Sequence, residues 1–367
     1  MELSIYVHIP YCASKCNYCN FVSFLNKEDT FLDYEQVLEH ELDKIDKKDY
    51  VVKTIYFGGG TPSFYSEKCI EKVLQKIKKD FKCDLKEVTI EVNPNSINEE
   101  KLIKYKEIGI NRISIGVQSL NDEALSFVNR PHTSKQAIEA IKLTSKHFDN
   151  ISGDIIINLP YTKEDDAIVT AKTLIDLNVK HISAYGLQIE EGTPLYKEYK
   201  KNPNLLNEDE SANRYEKLVE FLKERGYFRY EISNFCIGDY YSRHNLCYWN
   251  RGDYLGIGCA AHSLIKGERF NNSENLEKYL NKKDIGINRY KLDREDSIEE
   301  TIMLSLRTKW GLDLKLLTKK YNYDILTEKN KEIEKHIKFG NIVVENDKIM
   351  VTDKGQYISN SIILDLI

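Results

Sequence analysis

Short apolar runs rich in β-branched residues alternate along the chain with longer stretches in which apolar residues recur every three or four positions. Residues 3–9 form the first run. A helix over residues 31–47 follows, with Phe31, Tyr34, Val37, Leu38, Leu42 and Ile45 at helical spacing. Further runs at 53–57, 88–92, 112–117, 152–159 and 181–187 each lead into helical patterns, at 66–80, 98–108, 121–128 with 134–148, 163–177 and 208–225. Strands separated by amphipathic helices pair in parallel through crossover connections. Six such units fall short of the eight that close a barrel, so the pattern predicts an open α/β half-barrel with ligands at the C-terminal ends of its strands.

Beyond residue 297 the texture changes to helices at 298–306, 312–321 and 331–339. Two short strands around Asn346-Asp347 and a last helix follow. Helices ahead of a β-hairpin predict a smaller winged-helix-like α+β domain. The polar stretches at 202–207 and 271–288 read as connections. The expected organisation is therefore a core at 1–235, a connecting segment at 236–296 and a C-terminal domain at 297–367.

Composition narrows the class of protein. With 367 residues, 41% of them hydrophobic and 30% charged, the chain can bury a large core. No apolar run is long enough to span a bilayer and no export pattern is visible, so the cytoplasm is the expected compartment. A net charge of -5 without a basic stripe gives no reason to expect nucleic acid, even for a winged-helix-like domain. Of eight cysteines only Cys12, Cys16 and Cys19 cluster, which points to a metal site in place of a disulfide framework.

That cluster is the most informative feature. Three thiols in a loop after the first strand can hold a four-iron cluster with one iron left open, or, with His8, a Cys3His zinc knot. A second strand runs into Gly58-Gly59-Gly60-Thr61-Pro62, a turn in which missing side chains let backbone groups approach a charged ligand.

The CxxxCxxC loop with Tyr18 before its third cysteine, followed by the glycine turn, resembles the radical S-adenosylmethionine (SAM) superfamily. The resemblance implies a partial (β/α)6 barrel and a [4Fe-4S] cluster on Cys12, Cys16 and Cys19. In that family the open iron chelates SAM, whose reductive cleavage gives a 5'-deoxyadenosyl radical. The segments from Gly116-Val117-Gln118-Ser119 to Arg130 and from Gly153-Asp154 to Pro160 are similar to the oxygen-independent coproporphyrinogen III oxidase branch. Carried over motif by motif, SAM would be met by Gly59, Gly60, Thr61, Glu91, Gln118, Arg130 and Asp154. Tyr6, Tyr18 and Phe21 would lie beside the cluster loop, and backbone near residues 184–187 would face the adenine.

Oxidases of this branch carry a fourth cysteine, CxxxCxxCxC, where this chain has Phe21. Arg243-His244-Asn245-Leu246-Cys247-Tyr248-Trp249 contains HNxxYW, a motif of the HemW-type heme chaperones of the same branch. The resemblance therefore implies heme as a further ligand, with His244 as axial donor and Tyr248 and Trp249 as flat faces; Cys247, Cys259 and His262 are rival ligands. It also implies heme-acceptor proteins, respiratory ones among them, a reductant such as flavodoxin or ferredoxin, and membrane association only through acceptors. Radical decarboxylation of a porphyrinogen is the alternative activity, and a zinc-stabilised binding module the reading outside the family.

Overall fold

The computed structural model describes the backbone of residues 1–367 and every side chain except those of Glu208 and Asp209. Six parallel strands form its centre in sequential order: β1 (Glu2–Ile9), β2 (Val51–Gly59), β3 (Lys82–Val92), β4 (Arg112–Gln118), β5 (Ile151–Ile157) and β6 (His181–Gly186). The crossovers carry α1 (Phe31–Asp43), α2 (Glu67–Asp80), α3 (Glu99–Ile108), α4 (Asp122–Phe127), α5 (Ser134–Thr144) and α6 (Asp166–Asp176). The partial barrel expected from the repeated unit is the fold observed.

Successive side chains of a strand point to opposite faces. Ile5, Val7 and Ile9 of β1, with Ile55 and Phe57 of β2, belong to the apolar core packed under the helices. The alternate positions carry Ser4, Tyr6 and His8, then Thr54 and Tyr56, then Thr89 and Glu91, and these are polar. Hydrogen bonds link them inside the barrel: Thr54 Oγ1 donates to Ser4 Oγ at 2.8 Å, and the Tyr56 hydroxyl to Glu91 Oε1 at 2.8 Å.

Helix ends depart from the expected bounds for local reasons. The first helix stops at Asp43, where Lys44 N–H donates to the Glu41 carbonyl and Ile45 N–H to that of Leu42. Lys47 then leaves the helix to pair with Asp80 at 2.7 Å. Gly109, at φ +100°, ends α3 in the left-handed region that glycine adopts without strain.

The sheet does not end at residue 235. After α7 (Pro194–Lys201) and α8 (Glu208–Glu224), β7 (Phe228–Arg229) and β8 (Asn234–Cys236) turn back antiparallel along β6. The segment 236–296, expected only to connect, instead carries α9 (Arg243–Trp249), β9 (Tyr254–Ile257), β10 (His262–Ile265), β11 (Glu268–Asn271), α10 (Leu276–Leu280) and β12 (Ile287–Lys291). β9 pairs in parallel with the free edge of β1, and the next three strands continue the sheet to twelve. Its strands are four or five residues long, too short for an apolar period to stand out.

The C-terminal domain has its own core around Ile302, Leu306, Leu317, Ile333 and Ile363. Its order is α11 (Arg294–Ser305), β13 (Leu312–Asp313), α12 (Leu314–Tyr321), α13 (Ile325–Glu328), α14 (Asn330–Lys338), β14 (Ile342–Glu345), β15 (Lys348–Val351) and α15 (Ser359–Leu366). The hairpin between β14 and β15 turns on Asn346 and Asp347, both at positive φ as a two-residue primed turn requires. Glu300 of α11 binds the domain to the sheet by accepting from Arg251 Nε at 2.8 Å and Arg269 Nη2 at 2.7 Å. Among the described residues no helix is long and apolar enough to cross a membrane.

Candidate cofactor site at the strand ends

A cavity of about 600 Å³ opens at the C-terminal ends of the barrel strands. At one end lie the thiols of Cys12, Cys16 and Cys19. Their loop is tied down by backbone bonds: Cys12 N–H donates to the Phe24 carbonyl at 3.1 Å, and Asn17 N–H to Val128 at 2.9 Å. Two side chains donate to sulfur, Thr61 Oγ1 to Cys12 at 3.4 Å and Arg130 Nη1 to Cys16 at 3.4 Å. Burial pushes the Cys12 and Cys19 thiols up, so a ligand that takes them as thiolates must supply the compensating positive charge.

The glycine turn fits against this loop without room for side chains. A Cβ on Gly60 would lie 2.8 Å from the Tyr11 carbonyl oxygen and 3.0 Å from Cys12 Sγ. Gly59, at φ +116°, would bring a Cβ to 2.5 Å from the His8 ring. His8 itself has both ring nitrogens engaged, Nδ1 with the Tyr6 hydroxyl and Nε2 with the Val22 carbonyl, each at 3.0 Å. Among the described residues no group of three His, Cys, Asp or Glu converges closely enough to hold a single metal ion. A zinc knot would require His8 to give up one of these bonds, whereas three thiols spread around a cavity end suit a larger cluster.

Away from the thiols the lining is polar. Glu91 accepts from Tyr56 Oη at 2.8 Å and Gly59 N–H at 3.1 Å, and burial, with the nearby Asp154 charge, pushes it up to about 7. Asp154 accepts from Ser114 and Ser152, and burial raises it as well. Arg130 Nη2 donates to Asn93 Oδ1 at 2.9 Å and the Gly116 carbonyl at 2.7 Å, while its Nε is buried without a partner. Gln118 sits at φ +66° where the β4–β5 register shifts, which turns its amide into the cavity mouth. Tyr18, Phe21, Tyr185, Gly186 and Leu187 complete this rim.

Cys12, Cys16, Cys19, Tyr18, Phe21, Gly59, Gly60, Thr61, Glu91, Gln118, Arg130 and Asp154 thus all line one cavity. Tyr6 stands behind it, its ring 6.2 Å from that of Tyr56. Arg112, Ser114, Ser183, Ser233 and Asn245 also line it, although nothing in the strand pattern singled them out. For Arg112, Ser114 and Ser183 the only signal was a polar residue at an inward position of a barrel strand; Ser233 precedes β8, and Asn245 lies on α9 within the HNxxYW motif.

The expected heme residues are a different matter. His244 is 1% exposed and does not line the cavity. Since Thr54 Oγ1 gives its proton to Ser4, it accepts from His244 Nδ1 at 2.8 Å, which leaves Nε2 to accept from the Tyr248 hydroxyl at 2.8 Å. Burial lowers the imidazole to about 3, so it is neutral and fully engaged. Tyr248 packs edge-on against His244 and Tyr254, and Trp249 is half-buried beside it. In this structure His244, Tyr248 and Trp249 stand outside the cavity lining: on α9 it is Asn245 that reaches the cavity, while His244 turns to β2. Of the rival ligands, Cys259 is buried, Cys247 donates to the Asp253 carbonyl, and His262 is exposed on β10.

The radical SAM superfamily model matches residues 6–174, and the HemN C-terminal domain model matches residues 292–358. The chain is 36% identical to the heme chaperone HemW of Buchnera aphidicola subsp. Schizaphis graminum, over 81% of each. It is 33% identical to HemW of Bacillus subtilis, over 87% of this chain and 86% of that one, and 30% identical to HemW of Lactococcus lactis, over 98% and 96%. Among solved structures, coproporphyrinogen III oxidase (HemN) of Escherichia coli superposes with a TM-score of 0.86 at 22% identity, covering 99% of this chain and 89% of that one, a likeness of fold. A cysteine loop and a C-terminal module matched in one chain, with about a third of its residues shared across most of each relative, make this protein a member of the HemW family within the radical SAM superfamily.

Proposed function

We propose that the protein is a heme chaperone that holds a [4Fe-4S] cluster and SAM in the strand-end cavity, binds heme, and delivers it to acceptor proteins in the cytoplasm. The observation that carries this reading is the set of three thiols, with no fourth cysteine beside them among the described residues, at one end of a cavity whose remaining lining suits a zwitterion. The names of the relatives supply the heme and its delivery.

Each lining group then has a task. Cys12, Cys16 and Cys19 bind three irons, and Thr61 and Arg130 donate to two of the sulfurs, which favours the reduced, more negative cluster. Glu91 faces the methionine ammonium and Arg130 the carboxylate, while Asp154 serves the ribose hydroxyls and Gln118 adds amide hydrogen bonds. Tyr6 and Tyr18 hold the walls, and backbone at 185–187 borders the adenine. When bound, the cluster supplies one-electron reduction of a sulfonium, fed by a flavodoxin- or ferredoxin-type reductant.

A coproporphyrinogen oxidase is the second reading, favoured by the shared fold alone; Phe21 at the position of the branch's fourth cysteine weighs against it. The deciding experiment reconstitutes the cluster without oxygen, then offers heme and coproporphyrinogen in parallel while 5'-deoxyadenosine is followed. Heme binding without porphyrinogen consumption is expected; protoporphyrinogen formation would install the oxidase reading. Iron and acid-labile sulfide in the purified protein are expected, and zinc in their place would sink both.

A further inference from the structure

Arg112, at the base of β4, is a fully buried guanidinium whose donors are left open. A guanidinium carries five N–H donors. Among the described residues this one makes a single hydrogen bond, from Nη2 to His181 Nδ1 at 3.4 Å, and that nitrogen already meets Ser152 Oγ at 2.7 Å. Arg112 Nε is buried with no partner at all.

Its charge is balanced without its donors being used. Glu87 stands nearest in charge, yet its oxygens accept from Thr89 Oγ1 at 3.1 Å and from the backbone N–H groups of Arg243 and His244 at 2.8 and 3.2 Å. Asp154, the next carboxylate, accepts from Ser114 and Ser152. Among the described residues neither carboxylate takes a hydrogen bond from the guanidinium.

Arg112 lines the strand-end cavity together with Ser114, Ser183, Ser233 and Asn245. Buried N–H groups without acceptors cost free energy unless a ligand or water completes them. Nε and a neighbouring Nη form the edge that matches the two oxygens of a carboxylate, a geometry lysine cannot copy.

We propose that Arg112 is a carboxylate receptor in the inner chamber of the cavity, taking an acid group of a bound ligand on its open guanidinium edge. Two ligands of the proposed function carry that group: heme, through its propionates, and SAM, through its methionine carboxylate, for which Arg130 is the rival. The heme source rests on the function proposed above.

The test uses the anaerobically reconstituted full-length protein. Heme is titrated against heme dimethyl ester, whose propionates are masked, and SAM against decarboxylated SAM, with wild type, Arg112→Gln and Arg112→Lys compared. Wild type is expected to prefer one acid over its masked form by about tenfold or more. Both variants should lose that preference, because neither retains the fork. A preference lost in the heme pair assigns the site to a propionate, and one lost in the SAM pair assigns it to the methionine carboxylate. Preferences unchanged in both pairs overturn the proposal and leave Arg112 as a counter-ion for Glu87 and Asp154. Iron content and thermal melting monitor folding; should Arg112→Gln not fold, Arg112→Lys, which keeps the charge, gives the same reading. If wild type binds neither heme nor its ester, the chaperone function fails while the SAM pair still reads Arg112.

Discussion

The hydroxyl of Thr54 and the imidazole of His244 meet at 2.8 Å in the barrel interior, although 190 positions separate them in the chain. The contact joins α9 to β2, and through Tyr56, whose ring centre lies 5.1 Å from that of His244, it reaches the carboxylate of Glu91. The HNxxYW segment is thus a support for the wall of the cavity.

Replacing His244 by Ala removes both hydrogen bonds, leaving the Tyr248 hydroxyl without its acceptor and Thr54 with Ser4 alone. A loss of about 2–4 kcal/mol is expected from unsatisfied groups plus the cavity, read as a lowered melting temperature in chemical or thermal unfolding. The Soret band of bound heme should keep its position. A shifted band with weakened heme binding would restore this histidine as an axial ligand.

Gly60→Ala drives a methyl group against Tyr11 and Cys12 at 2.8 and 3.0 Å. The turn cannot move without lifting the cysteine loop, because Gly60 N–H donates to Ile9 and Thr61 N–H to Tyr11. Anaerobic reconstitution should then incorporate well under half the iron and sulfide of wild type, whereas Gly186→Ala, where a Cβ meets nothing within 4 Å, should load normally.

Glu91 gives the pH dependence. Its carboxyl is held up to about 7 in the folded chain by burial, above its ordinary value of 4.5. Below 4.5 both folded and unfolded forms are protonated and no cost arises; between about 4.5 and 7 the unfolded chain releases its proton first, so stability falls as pH rises, and the loss is complete above 7. An ammonium ligand reverses the preference by favouring the ionised acid. SAM affinity should therefore rise through pH 7, and Glu91→Gln should flatten that rise while weakening binding, as isothermal titration across pH 6–8 would reveal.

Glu300→Ala leaves Arg251, whose side chain is 8% exposed, with Ser297 and Tyr321 as remaining acceptors and Arg269 with the Tyr254 hydroxyl alone. Losing a shared buried partner of two guanidinium groups should cost about 2–4 kcal/mol at the contact between sheet and C-terminal domain. Faster limited proteolysis near residues 291–294, with iron content unaltered, is the expected outcome.

Much of this arrangement was legible beforehand, and the gaps have physical causes. The thiol loop and glycine turn could be read because their residue types have few other uses at that spacing. The barrel units could be read because each helix needs an apolar stripe and each inner strand an apolar outer face. Arg112 escaped notice since one polar residue opening a β-branched run looks like any strand end. The surroundings of His244 were hidden for the opposite reason: its motif was recognised, but whether an imidazole faces a cavity or a threonine depends on the rotation of a seven-residue helix, which residue types alone do not encode. The strands at 254–291 were missed because each is too short to establish a period.

The strand that launches the cysteine loop is made first, yet its second flank is β9, from the last third of the chain. A nascent polypeptide emerging from the ribosome therefore exposes its three thiols long before the sheet around them can close.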